Sequence, residues 1–204
     1  YFDPTNDYAP WGGVDISGTT YTDYRDETNF SNLSLPDNPY NSGDTIKIFT
    51  KSSGRDGATF RNLAGGFRFY TWEDTDGDGN FDNQGSGDTV TEYAIGSVTD
   101  AQAVTARGEA GYTAVNLKGN FANWFTYHRK REYVAKYAFS VSLEDMTGAR
   151  VGYGSINNNN SNNVQIATMN LDPAVGNKRA LFNNLFKTNS DNSTPIKQNL
   201  EKVG

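Results

Sequence analysis

The chain has 204 residues and a formal net charge of -6. This length suits one large domain, or a core that carries a long insertion. Hydrophobic residues make up only 35%, yet 12 Tyr, 12 Phe and 3 Trp exclude a disordered polymer and point to an aromatic-packed domain under a polar skin. With no cysteine there can be no disulfide, thiolate metal site or cysteine nucleophile, and no apolar run is long enough to span a bilayer.

Charge divides the chain unevenly. Residues 1–100 carry 17 acidic and 6 basic side chains, whereas residues 101–204 carry 7 acidic and 12 basic ones. The opening 45 residues are turn-rich, with prolines at 4, 10, 36 and 39 among glycines at 12, 13, 18 and 43. From residue 45 the stretches TIKIFT, GGFRFYTW and TVTEYAIG alternate as strands do, each bounded by Gly, Asp or Ser. Strands are expected at Phe67–Trp72 and Thr89–Ile95, with an acidic loop joining them as an elaborated hairpin. Phe121, Trp124, Phe125, His128, Ala135, Phe139 and Leu143 recur at helical spacing. They predict one helix of about six turns, N-capped by Asn120 and ended before Gly148. ARVGYGSIN reads as a buried strand, residues 157–163 as an exposed loop and VQIATMNL as a further strand. NKRALFNNLFK reads as a helix with Leu181, Phe182 and Leu185 inward, and STPIKQNLEKVG as a last helix capped by Ser193 or Thr194.

The connecting loop DTDGDGNFD matches the spacing of calcium loops of the EF-hand type. Asp74, Asp76 and Asp78 take the first, third and fifth positions, and Gly79 allows the sharp turn. Asn80 offers a carbonyl, and Asp82 takes the ninth position. The twelfth position is Gly85 instead of the usual bidentate Glu, and Asp88 or Glu92 could substitute from the next strand. The expected ion is calcium, bound in the micromolar-to-millimolar range, with structural use favoured over regulatory use. The competing reading is a solvated Asp/Gly turn.

His128, the sole histidine, lies on the expected helix that carries Trp124 and Phe125 and is expected to pack or cap rather than catalyse. No acid–base or nucleophile pair stands out, so no catalytic residue is assigned and an enzyme is not expected. The basic run HRKR at 128–131 is a single helical turn in an acidic chain, which argues against nucleic acid. Tyr8, Trp11, Tyr21, Tyr24 and Tyr40 could form a contact surface or cover the core of the turn-rich opening.

The opening YFDPTNDYAPW, the segment GNFANWFTYHRKREYVAKYAF and the closing LFNNLFKTNSDNSTPIKQNLEKVG resemble the N-terminal region of PilY/PilC-type type IV pilus tip proteins. The resemblance covers both ends and most of residues 117–204, in the family's order, and is loose over about 45–115. It implies an α/β fold: an incomplete von Willebrand A-like core over 117–204, with a large irregular β-rich insertion over 1–116. It implies a place at the bacterial cell surface and pilus tip, minor pilins as partners, a host or abiotic surface as ligand, and roles in attachment and assembly priming. In that family an Asp-x-Ser-x-Ser turn, a Thr and an Asp hold a divalent ion, and only Thr194 has a counterpart here. Magnesium at that site would need the missing segments, so the chain is expected to be an interior piece of such a protein. The alternative is a calcium-stabilised structural module of another bacterial surface or filament protein, without adhesive activity.

Overall fold

The computed structural model describes residues 1–15, 17–28, 34–36, 45–47, 67–81, 88–154 and 164–188. They form a mixed α/β structure of helices and three two-stranded antiparallel sheets. The sheets pair β1 (Ser34–Pro36) with β2 (Thr45–Lys47), β3 (Arg68–Glu73) with β4 (Thr89–Ala94), and β5 (Arg150–Tyr153) with β6 (Val164–Thr168). The helices are α1 (Asp100–Arg107), α2 (Ala114–Tyr127), α3 (Arg131–Glu144) and α4 (Gly176–Lys187). Among the described residues no helix is long and apolar enough to cross a membrane. The chain divides into two compact units. One takes Tyr1–Ala9, Asp23–Asp37 and Asp44–Arg129, and the other takes Pro10–Thr22, Asn38–Gly43 and Lys130–Gly204.

In the first unit α2 is the central element. Thr113 caps it, accepting from the Asn116 amide while the Asn116 side chain accepts from the Thr113 amide, so two of the four orphan donors of the first turn are satisfied reciprocally. Leu117, Phe121 and Phe125 are buried along it. Phe2 packs edge-on against Phe121 (5.1 Å) and Phe69 (5.4 Å), and Phe69 stacks on Tyr93 at 4.9 Å. Each such ring removes a large apolar area from water and adds a favourable quadrupole contact.

Two fully buried asparagines of α2 fasten the turn-rich opening to this helix. Asn120 accepts from the Tyr8 amide at 2.8 Å and donates to the Asn6 carbonyl at 2.7 Å. Asn123 accepts from the Tyr24 amide at 3.0 Å and donates to the Tyr8 carbonyl and to Asp23, each at 2.7 Å. Gly119 lies at the closest approach: a Cβ there would meet the Tyr24 carbonyl oxygen at 2.5 Å and Arg25 Cα at 2.7 Å.

The second unit has its own aromatic centre. Trp11 stacks on Phe186 at 4.9 Å and meets Tyr133 edge-on at 5.4 Å. The backbone after Trp11 is held by α3, since Gly12 N–H donates to Ser140 Oγ and Gly13 N–H to Glu144 Oε1. Leu181, Phe182, Leu185 and Phe186 of α4 are buried, three of them as the sequence predicts. The fully buried Lys178 donates to the carbonyls of Glu144 (2.5 Å) and Leu171 (3.0 Å), which satisfies an orphan acceptor at the end of α3.

Several expectations change. The single long helix is two, α2 and α3, because His128 leaves the helical region as the C-cap of α2 (ψ -9° at φ -133°) and Lys130 is extended before α3 restarts. Phe139 of α3 is 60% exposed and not on a buried face. Asn120 is a buried mid-helix residue and not an N-cap. The stretch 1–116 also contains α1, capped by Thr99 and Gln102. Strand β5 is exposed to half-buried, not buried. The last expected helix, the loop at 157–163 and Tyr40 lie outside the described residues.

Two substitutions test the clamp. Asn123→Ala strands a buried amide and a carbonyl, and should lower unfolding free energy by about 3 kcal/mol in urea melts. Gly119→Ala would add about 1 kcal/mol of helix propensity at an open site. Here the backbone of Tyr24 and Arg25 cannot yield, so a net loss of about 2 kcal/mol is expected.

Candidate metal centre

Strands β3 and β4 pair in register from Arg68↔Ala94 to Glu73↔Thr89. This pairing delivers Asp74 and Asp88 to the two sides of the hairpin mouth. Across it the Thr75 amide donates to Asp88 Oδ1 at 3.1 Å, and the Thr75 and Thr89 hydroxyls lie 3.3 Å apart. Asp88 therefore clamps the loop's base.

Beyond the mouth the chain curls around its own carboxylates. Asp74 accepts from the amides of Gly77 (2.7 Å) and Gly79 (3.0 Å), Asp76 from Asp78 (3.1 Å), and Asp78 from Asn80 (2.7 Å). Gly77 and Gly79 adopt φ of 78° and 77°, the left-handed region that a side chain disfavours. Asp74, Asp76 and Asp78 each present an oxygen within 4.8 Å of the others, and all three are exposed. Three oxygens no more than 4.8 Å apart lie within about 2.8 Å of a common point, close to the roughly 2.4 Å of calcium–oxygen contacts, so a small closing of the loop lets a single hard cation reach all three. Without one, like charges at this spacing repel by about 1 kcal/mol per pair even in water. The exposed Asp cluster can thus bind a metal ion. Asn80 is exposed beside it, its side-chain amide donating to the Asp78 carbonyl at 3.2 Å. Asp82 and Thr194 lie outside the described residues. Glu92 is engaged on the strand, pairing with Arg68 at 2.7 Å and accepting from the Tyr70 hydroxyl at 2.7 Å.

Two features of this hairpin were not singled out from the sequence. Trp72 and Phe81 bracket the loop edge to face, their ring centres 6.0 Å apart and both exposed. Only the aromatic on each side of the acidic run hints at it. The same hairpin also borders a cleft of about 660 Å³ lined by Phe2, Thr71, Trp72, Thr91, Tyr93 and Arg107 among others. Arg107 is already committed there to Asp7 at 2.9 Å and Glu109 at 3.2 Å.

Trp11 and Tyr24 are buried, so they serve the core, while Tyr8 and Tyr21 are half-buried. The run 128–131 does not present one basic face: Arg129 lies over the Phe125 ring at 4.6 Å, and Lys130 over Tyr133 at 5.3 Å. His128 Nε2 donates to the Ala9 carbonyl at 2.8 Å, and its ring lies 5.2 Å from that of Tyr8.

No known family's sequence profile matches the chain, and no curated protein or solved structure is similar to it.

Burial holds the His128 pKa below its ordinary 6.5, outweighing the opposing effect of its bond to Ala9. The unfolded chain then takes up a proton at a pH where the folded chain does not. Stability is full above about pH 6.5 and falls as pH drops from there toward the depressed folded value. Asp23 responds only further down: burial pushes its carboxyl up, but hydrogen bonds from Arg25 and Asn123 outweigh this and hold it below 3.8. Urea midpoints between pH 7 and 5 should therefore decline in the wild type and flatten in His128→Gln, which retains a donor for Ala9.

Proposed function

We propose that this chain is part of a type IV pilus tip-associated adhesin that mediates surface attachment and pilus assembly. In this reading the loop of Asp74, Asp76 and Asp78 holds a structural calcium ion. The observation that carries the calcium reading is the convergence of three carboxylates from a loop whose ends are tied by paired strands. Calcium accepts six to eight oxygens, takes carboxylates and carbonyls readily, and tolerates irregular geometry. Asp74, Asp76 and Asp78 would hold it, with the Asn80 carbonyl, Asp82 and water completing the shell and Asp88 bracing the loop. The ion would offset the carboxylate repulsion and stiffen the hairpin, favouring the folded state whenever free calcium exceeds the dissociation constant.

The adhesin reading is supported by the resemblance at both ends of the chain. It is also supported by the way two of the resembling stretches meet: Asn120 and Asn123, in NFANW, bind the backbone of the opening stretch at Asn6 and Tyr8. Minor pilins and a surface ligand would be the partners, outside the cell at the pilus tip. No residue is proposed for catalysis.

Calorimetric titration with calcium tests the site. The wild-type chain should show saturable binding in the micromolar-to-millimolar range, and Asp76→Ala/Asp78→Ala should abolish it. Calcium at about 100 times the dissociation constant should add about 2.7 kcal/mol of stability, removable with EGTA. An absence of heat and of any thermal shift would leave the loop a bare turn. In the native host, the same variant in the full-length protein should reduce surface piliation and attachment. Binding without that phenotype would instead favour the calcium-stabilised structural module.

A further inference from the structure

Helix α3 buries one face, Tyr133, Lys136 and Ser140, and leaves the opposite face exposed. A water-facing surface would be expected there. Instead Arg131, Val134, Ala138, Val141 and Asp145 follow one another at intervals of three, four, three and four, the spacing of a coiled-coil seam. Val134 is 45% exposed and Val141 44%, with Ala138 exposed between them. The middle of the seam is apolar and narrow, and only its ends are charged.

Those end charges have the wrong sign for their own helix. A helix carries partial positive charge at its N-terminus and negative charge at its C-terminus. Arg131 nevertheless opens α3, and Asp145 is its C-cap, with no basic residue in the last turn. Glu132, the acid of the first turn, is committed to Lys136 at 2.6 Å. Among the described residues, neither Arg131 nor Asp145 makes an ion pair or side-chain hydrogen bond.

We propose that this face pairs with the same face of a second copy of the chain, the two helices running antiparallel about a two-fold axis beside Ala138. Arg131 then meets the C-terminal end of the second helix and its Asp145, and the symmetry repeats the contact at the other end. Both misplaced charges are corrected at once, each by a counter-charge and by an opposed helix end. Val134 lies alongside Val141 of the second copy, and Ala138 allows close approach. The contact is isologous, so it closes at a dimer rather than growing into a filament. A fourteen-residue helix is about 21 Å long, which places the pair among small, reversible interfaces.

Sedimentation of this chain over a range up to about 100 µM tests the pairing, since interfaces of this size are weak. The wild type should show a concentration-dependent dimer. Ala138→Glu, which sets like charges against each other at the axis, should leave a monomer. Arg131→Asp and Asp145→Arg should each weaken association by about tenfold or more through repulsion across the seam. An equimolar mixture of those two variants should associate again, because every seam contact in the mixed pair joins opposite charges. Both single changes place the favoured sign at a helix end, so melting temperatures at low concentration should be at least those of the wild type. A chain that stays monomeric overturns the proposal. So does a dimer indifferent to Ala138→Glu, or a mixture that associates no better than the separate variants.

Discussion

The first unit depends on two side-chain amides. Asn120 and Asn123 are fully buried on α2, and between them they satisfy backbone groups of Asn6, Tyr8 and Tyr24. A turn-rich opening cannot satisfy its own amides and carbonyls as a helix or sheet does, and burying them unpaired would cost more than the segment's aromatics return. An asparagine carries both a donor and an acceptor, so it can replace the missing ladder at a point where Leu or Ala could not. The close approach at Gly119 brings the Tyr24 turn against the helix backbone, within reach of Asn123. Phe2 is then seated against Phe69 and Phe121 as part of the same arrangement.

The acidic loop depends on a different constraint. Its carboxylates are held by amides of their own loop, and the pairing of Glu73 with Thr89 fixes where that loop begins and ends. Asp88 bonds across the mouth, which separates a positioning role from the three residues that converge. The arrangement suits a hard cation because it supplies charged oxygens at close range without burying them, so binding need not overcome the large desolvation cost of an interior site.

Much of this architecture is legible in the amino-acid sequence. The hairpin strands follow from period-two alternation between Gly and Asp boundaries, and the loop from the Asp-x-Asp-x-Asp-Gly spacing. The α4 face follows from Leu181, Phe182 and Leu185 at helical intervals. What misled was the run from Asn120 to Leu143. Its apolar residues keep helical spacing on both sides of 128–130, and periodicity cannot register that α2 ends at His128, whose ring bonds to Ala9, a residue 119 positions away in sequence. Asn120 reads locally as a cap for the same reason, since its partners Asn6 and Tyr8 lie far off in the chain.

Local chemistry by itself determined the elements whose causes are short-range: strand alternation, the acidic turn with its glycines, and the apolar stripe of α4. These depend on residues within a few positions of one another, so spacing alone encodes them. Tertiary structure alone decided where the long helix breaks, which asparagines are buried, and that Trp11 and Tyr24 are core. Each of these is set by a partner distant in sequence, which leaves no mark in local spacing.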